Sequence, residues 1–129
     1  MPETEKLIIN TGPLLAIIAG VGDLSLLELL YKRVLVPFEV CQEIEAGEAS
    51  VIQLALDKNI HTVCIDETMG RRIARLNGLK LTGSIGVLIR AKQDGFGFSM
   101  REAVKRMQSQ GIYLSRKVVD FALKQVNEI

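Results

Sequence analysis

At 129 residues, 48% of them hydrophobic and 24% charged, the chain has the length for one core and an ordinary globular make-up. No apolar run reaches the roughly 20 residues of a membrane span, and the start Met-Pro-Glu-Thr-Glu-Lys is not the basic opening of a signal peptide, so one cytoplasmic domain over residues 1–129 is expected. The net charge of +1 hides an uneven distribution: residues 1–66 hold 4 Lys/Arg against 10 Asp/Glu, residues 67–129 hold 12 against 5. Either carboxylates for a cation lie beside cations for a phosphate backbone, or an acidic and a basic half attract each other within or between chains.

In chain order, residues 6–10 form a short apolar run that ends on polar Asn10. Thr11-Gly12-Pro13 turns the chain, and Pro13 suits the first turn of a helix over 14–19, which Gly20 and Gly22 break. Asp23 is the expected N-cap of a second helix over 24–31. Residues 33–36 read as a buried strand stopped by Pro37, and Phe38, Cys41 and Ile44 mark a helix over 38–45. Gly47 interrupts, and an apolar helix resumes over 48–57. A third strand spans 61–65 and ends at Asp66-Glu67. A helix over 68–76 is closed by Asn77-Gly78, followed by a short strand over 79–82 and a helix through residue 92 that Ser84 is expected to cap. Two amphipathic helices, 99–108 and 115–126, finish the chain, with Ser99 and Glu102 spaced as a capping box. The β-α alternation with continuous apolar strands predicts a parallel sheet of about four strands covered by helices on both faces, with helices at the C-terminus.

Two cysteines make no disulfide framework: Cys64 reads as a buried thiol, and Cys41 has no Cys or His at metal spacing. In an open α/β sheet, ligands bind beyond the carboxyl ends of the strands. Those ends carry Asn10-Thr11, Pro37, Asp66-Glu67 and Thr82-Gly83-Ser84, and nearby helices add Glu39, Glu43, Glu45 and Glu48. The acids are either a solvated acidic face or an oxygen-donor site for Mg2+ or Mn2+, which take carboxylates together with water and phosphate. The single histidine, His61, opens a strand and reads as a surface or packing residue. Arg71 and Arg72 follow Asp66-Glu67 and suit either phosphate positioning or pairing with Glu67 on a solvated helix face.

The segments I-N-T-G-P-L-L (8–14), V-L-V-P-F-E-V-C-Q-E-I (34–44), G-E-A-S-V-I-Q-L-A-L (47–56), V-C-I-D-E-T-M-G-R-R-I-A-R-L-N-G-L (63–79) and L-T-G-S-I-G-V-L-I-R-A-K (81–92) together resemble a prokaryotic branch of the PIN-domain nucleases, grouped near VapC-type toxins. Each motif alone is weak; five in order over nearly the whole chain are specific. The resemblance implies a three-layer α/β/α fold and Mg2+- or Mn2+-dependent cleavage of RNA by acids from four places. Carried over, these places are Asn10, Glu43, Glu48 and Asp66, with Glu67 beside the last and the hydroxyl of Thr11 or Ser84 assisting. It also implies a small antitoxin as partner.

Two departures stand out. Asn10 replaces the aspartate usual in PIN nucleases and offers an amide oxygen without charge. Only Glu45-Ala46 separates the E-I motif from the G-E-A motif, where relatives carry a longer stretch. On one unbroken helix, positions 43 and 48 would differ by about 140° at 3.6 residues per turn, so a break at Gly47, an incomplete site or a homodimer follows. The leading expectation is an RNA-cleaving toxin-type enzyme; the alternative is an impaired PIN-fold module that binds RNA or a protein without cutting. A phospho-acceptor domain using Asp66 and Thr82 would need an acidic pair after strand one and a lysine after a fifth strand, and the chain has neither.

Overall fold

An apolar strand followed by an amphipathic helix returns the chain to the edge from which it started, so successive strands pair in parallel. A computed structural model of the chain describes residues 5–37 and 44–128, the side chains of residues 5 and 44–50 excepted. In chain order the elements are β1 (Glu5–Ile9), α1 (Thr11–Val21), α2 (Ser25–Leu30), β2 (Tyr31–Leu35), α3 (Ile44–Lys58), β3 (Thr62–Cys64), α4 (Thr68–Leu76), β4 (Lys80–Thr82), α5 (Ser84–Gln93), α6 (Met100–Ser109) and α7 (Arg116–Gln125). The four strands form one sheet in the order β2-β1-β3-β4, every pairing parallel. Ile8 lies opposite Leu35 on one side and Val63 on the other, and Ile9 lies opposite Cys64.

Alternation along the central strands divides the core into two layers. Leu7 and Ile9 of β1 and Cys64 of β3 enter a cluster with Ile17 of α1, Leu26 of α2, Leu88 of α5, Met107 of α6 and Ala122 of α7. Ile8, Val63 and Ile65 enter a second cluster with Val51, Ile52 and Ala55 of α3 and Ala74 of α4. The result is the three-layer α/β/α arrangement expected from the alternation, with a four-stranded parallel sheet. Among the described residues, no helix is long and apolar enough to cross a membrane.

The local differences have identifiable causes. Gly20 does not end α1. It lies inside the helix, where α6 comes so close that a Cβ would sit 3.1 Å from Met107 Sδ and 3.3 Å from the Ala103 carbonyl. The stop falls on Gly22, whose φ of 98° takes the left-handed cap and turns its N–H onto the Ile18 carbonyl. The second helix is shorter than expected. Leu24 is its N-cap, Asp23 instead accepts from the N–H and hydroxyl of Ser25, and Tyr31 already belongs to β2.

Gly47 does not interrupt the chain either, since α3 runs unbroken from Ile44 to Lys58. Its flanking Glu and Ala residues favour helix, and packing of Val51, Ile52 and Ala55 on the sheet outweighs one glycine's cost of about 1 kcal/mol. Most of the helix expected over 38–45, with Glu39, Cys41 and Glu43, lies outside the described residues.

Helix α4 has the expected bounds and closes at Asn77-Gly78, Gly78 taking a φ of 73°. Ser99 and Ser115 cap α6 and α7 by accepting from the N–H groups of Glu102 and Val118. The Glu128 carboxylate accepts from Lys92 Nζ at 2.6 Å, and from the N–H groups of Met100 at 2.6 Å and Arg101 at 3.0 Å. The C-terminal segment is thereby tied to the junction of α5 and α6.

Candidate active site at the carboxyl edge of the sheet

The strand order sets which polar residues meet at the carboxyl edge. β1 and β3 are the two central strands, and their pairing continues one step past Ile9, where the Asn10 N–H donates to the Cys64 carbonyl at 3.0 Å. β3 and β4 likewise continue through Ile65 N–H to the Thr82 carbonyl at 3.0 Å. Asn10, Asp66 and the turn at residues 82–84 therefore emerge side by side, although 56 positions separate the first two.

Asp66 is held by its surroundings. Its Oδ1 accepts from the Ser84 N–H at 2.8 Å, which places the carboxylate at the amino end of α5, where the helix dipole favours negative charge. Gly83 makes room for this contact. A Cβ there would lie 2.7 Å from Asp66 Oδ1 and 2.9 Å from Arg71 Nη1, so the carboxylate and the guanidinium occupy the space a side chain would fill. Arg71 is half-buried and donates from Nη1 to the Ile65 carbonyl at 2.8 Å, bracing the residue just before Asp66. Beneath the edge, burial first and the Asp66 charge second push the Cys64 thiol well above its usual range, with Arg71 pulling the other way. The thiol stays neutral, as expected of a buried structural cysteine.

Asn10 is the N-cap of α1, and its Oδ1 accepts from the Thr11 N–H at 3.0 Å. Thr11 is exposed on the same edge. Ser84 is 3% exposed, and what it offers Asp66 is its backbone N–H. Glu67 is exposed at the N-cap position of α4, and Arg72 is exposed one residue beyond Arg71. Helix α3 carries the chain from the end of β2 back to the start of β3, so its first turns, with the backbone of Glu48, belong to the carboxyl edge. The Glu48 side chain and all of Glu43 lie outside what is described.

The donors that the described residues bring together are an amide oxygen and a carboxylate. Oxygen donors without imidazole or thiolate suit a hard divalent cation. Two do not complete a cage, and among the described residues no group of three or more His, Cys, Asp or Glu side chains is placed to hold a metal. Gly83 reads in the sequence only as part of the polar turn after β4, with no role of its own. The signal available was its position between a strand-ending Thr82 and a helix-starting Ser84, where backbone approaches side chain closely.

Residues 44–128, about two thirds of the chain, match the family DUF3368, described as a PIN domain. The matched stretch holds Glu48, Asp66, Glu67, Arg71, Arg72 and Ser84; Asn10, Thr11 and Glu43 precede it. No curated protein and no solved structure matches the chain. This match spans more than half of the chain and agrees with the observed fold, so the chain belongs to the PIN-domain family, a nuclease-type fold.

Proposed function

We propose that the chain is an endoribonuclease that uses Mg2+ or Mn2+ to hydrolyse RNA phosphodiesters at the carboxyl edge of its sheet. The observation that carries the proposal is the fixed Asp66 carboxylate, seated on the Ser84 N–H beside the end of β1 in a PIN-family chain. In this reading Asn10 and Asp66 would hold the cation together with Glu43 and Glu48, and Glu67 would add negative charge at the rim. When bound, such an ion would supply a lowered pKa for water and offset charge on the scissile phosphate.

The remaining residues orient the parts. Ser84 N–H and Arg71 keep the Asp66 carboxylate and its backbone still. Thr11 and Arg72, both exposed, are the groups assigned to the RNA backbone, Arg72 by charge and Thr11 by its hydroxyl. Hydrolysis adds water across the phosphodiester and leaves one phosphate end and one hydroxyl end.

The toxin-type role, with a small antitoxin as its natural inhibitor, rests on the sequence resemblance alone. The homodimer rests instead on the five-residue spacing of Glu43 and Glu48, which one helix would turn apart; a dimer mass in light scattering at micromolar concentration is expected, and a monomer mass is the contrary result. A second reading, a module that binds RNA or a protein without cutting, draws support from Asn10, whose amide brings no charge to the cation.

Cleavage of a mixed RNA pool by the purified protein with Mg2+ or Mn2+, beside Asp66→Asn and Glu43→Gln, separates the readings. Metal-requiring cleavage that disappears in both variants supports the enzyme. No cleavage above the variants, with no metal binding in calorimetry, leaves the binding module.

A further inference from the structure

The aromatic side chains of this chain are few, two Tyr and four Phe, and the described ones divide sharply. Tyr31 is buried at 4% exposure, while Phe96 and Phe98 pack on the core with ring centroids 6.0 Å apart. Tyr113 is 84% exposed and Phe121 is 55% exposed, and both lie in the last segment of the fold. Tyr113 precedes Ser115, the N-cap of α7, by two residues, and Phe121 stands in the middle of that helix.

The buried side of α7 is Ala122 and Leu123, which join the larger core cluster. On the outer side Lys117, Phe121 and Lys124 follow at i, i+4 and i+7, so they form one stripe with the ring between two ammonium groups. Val118, 38% exposed, flanks the ring, and Arg116 is exposed at the start of the helix. A single acid, Asp120, stands on this helix. A merely solvated face needs charge but no aromatic rings, and lysine is depleted in protein-docking faces. Rings interleaved with cations suit a strand whose bases are unstacked and whose phosphates run alongside. A duplex hides its base faces and would leave the rings without partners.

We infer that the outer face of α7, with Tyr113 before it, is a docking surface for single-stranded RNA. Phe121 and Tyr113 stack on bases, while Lys117 and Lys124 neutralise the phosphates on either side. The inference rests on the RNA reading of the carboxyl-edge site and adds a second place where the strand is held.

The test uses Asp66→Asn protein without divalent metal, so that cleavage plays no part, and measures the fluorescence anisotropy of a labelled oligouridylate of about 12 nucleotides. The single strand is expected to bind more tightly than a hairpin duplex. Phe121→Ala should weaken it at least about fivefold, and Phe121→Trp should retain it. Joint Lys117→Gln and Lys124→Gln substitution should lower the slope of log affinity against log salt by about 1.4, at roughly 0.7 per phosphate contact. All three changes lie on the solvent side of α7, and unchanged melting curves establish that the variants fold.

Binding by Phe121→Ala and by the lysine variant that equals the parent overturns the inference. So does a parent dimer that Phe121→Ala converts to a monomer, because the face would then belong to a second copy of the chain. Strand binding through α7 in a protein that never cuts would uphold the docking surface and sink the enzyme reading, so the two fail separately.

Discussion

A methyl group on Gly83 would meet Asp66 Oδ1 at 2.7 Å and Arg71 Nη1 at 2.9 Å, closer than such contacts occur in folded proteins. Both obstructing atoms are the ends of flexible side chains, and Gly83 has extended backbone angles that alanine also adopts. In Gly83→Ala the backbone therefore stays and the carboxylate moves. The stability loss should be about 1 kcal/mol, the share of one hydrogen bond from Asp66 to the Ser84 N–H. Cleavage should fall about 100-fold, as expected when a reacting group is displaced by about 1 Å. Measuring kcat/KM beside a denaturation curve checks both. Equal activity in Gly83→Ala would show that the position of Asp66 is not critical. Asp66 was legible in the sequence, because an acid directly after an apolar strand marks the edge. The bracing by Arg71 was not, since its half-buried contact with the Ile65 carbonyl depends on how α4 lies against β3.

At the scale of elements, the C-terminal segment is fastened by one carboxylate. Burial works against the charge of Glu128, but the Lys92 ammonium and the N–H groups of Arg101 and Met100 outweigh it and hold the group at about 2, down from 4.5. A carboxyl whose pKa falls on folding stabilises the fold above its unfolded value and loses that contribution as pH drops through its folded value. Glu128→Gln should therefore be less stable than the parent at pH 7, on the order of 1 kcal/mol for a partly exposed charged group. The difference should hold down to about pH 4.5 and vanish near pH 2, which urea midpoints at a series of pH values would read. A constant difference across that range would assign Glu128 a packing role instead. The Ser99 cap and the Asn77-Gly78 stop were readable because they act within a few residues, whereas the cap expected at Ser84 falls on Gly83, Ser84 giving its backbone N–H to Asp66 instead. Gly20 and Gly47 were misread as breaks because partners distant in sequence decide whether a glycine ends a helix.

Across the whole molecule, the two core layers close on side chains alone. Ile8, Val63 and Ile65 pack with α3 and α4, Leu7, Ile9 and Cys64 with the other five helices, and both clusters are built from apolar side chains. On the proposed metal-dependent reading, chelation with EDTA should abolish cleavage, and with apolar cores it should leave the helical circular-dichroism signal and the melting temperature unchanged. A large fall in melting temperature would mean that the cation organises the fold itself. The division of charge into an acidic first half and a basic second half takes shape here too. Asp66 lies at the carboxyl edge, while the last helix turns lysines outward around an exposed ring.

The sequence by itself determined the β-α alternation, the parallel sheet, the bounds of α4, the cap at Ser99 and the edge on which polar residues collect. All of these follow from short-range periodicity and from the rule that a helix returns the chain to the same edge. Only the tertiary structure decided that β1 and β3 are neighbours, which brings Asn10 beside Asp66, and that Gly83 leaves the space in which Asp66 and Arg71 sit. It also decided which aromatic rings are buried and which face solvent. These are matters of contact between segments far apart in the chain, and no local pattern of residues encodes them.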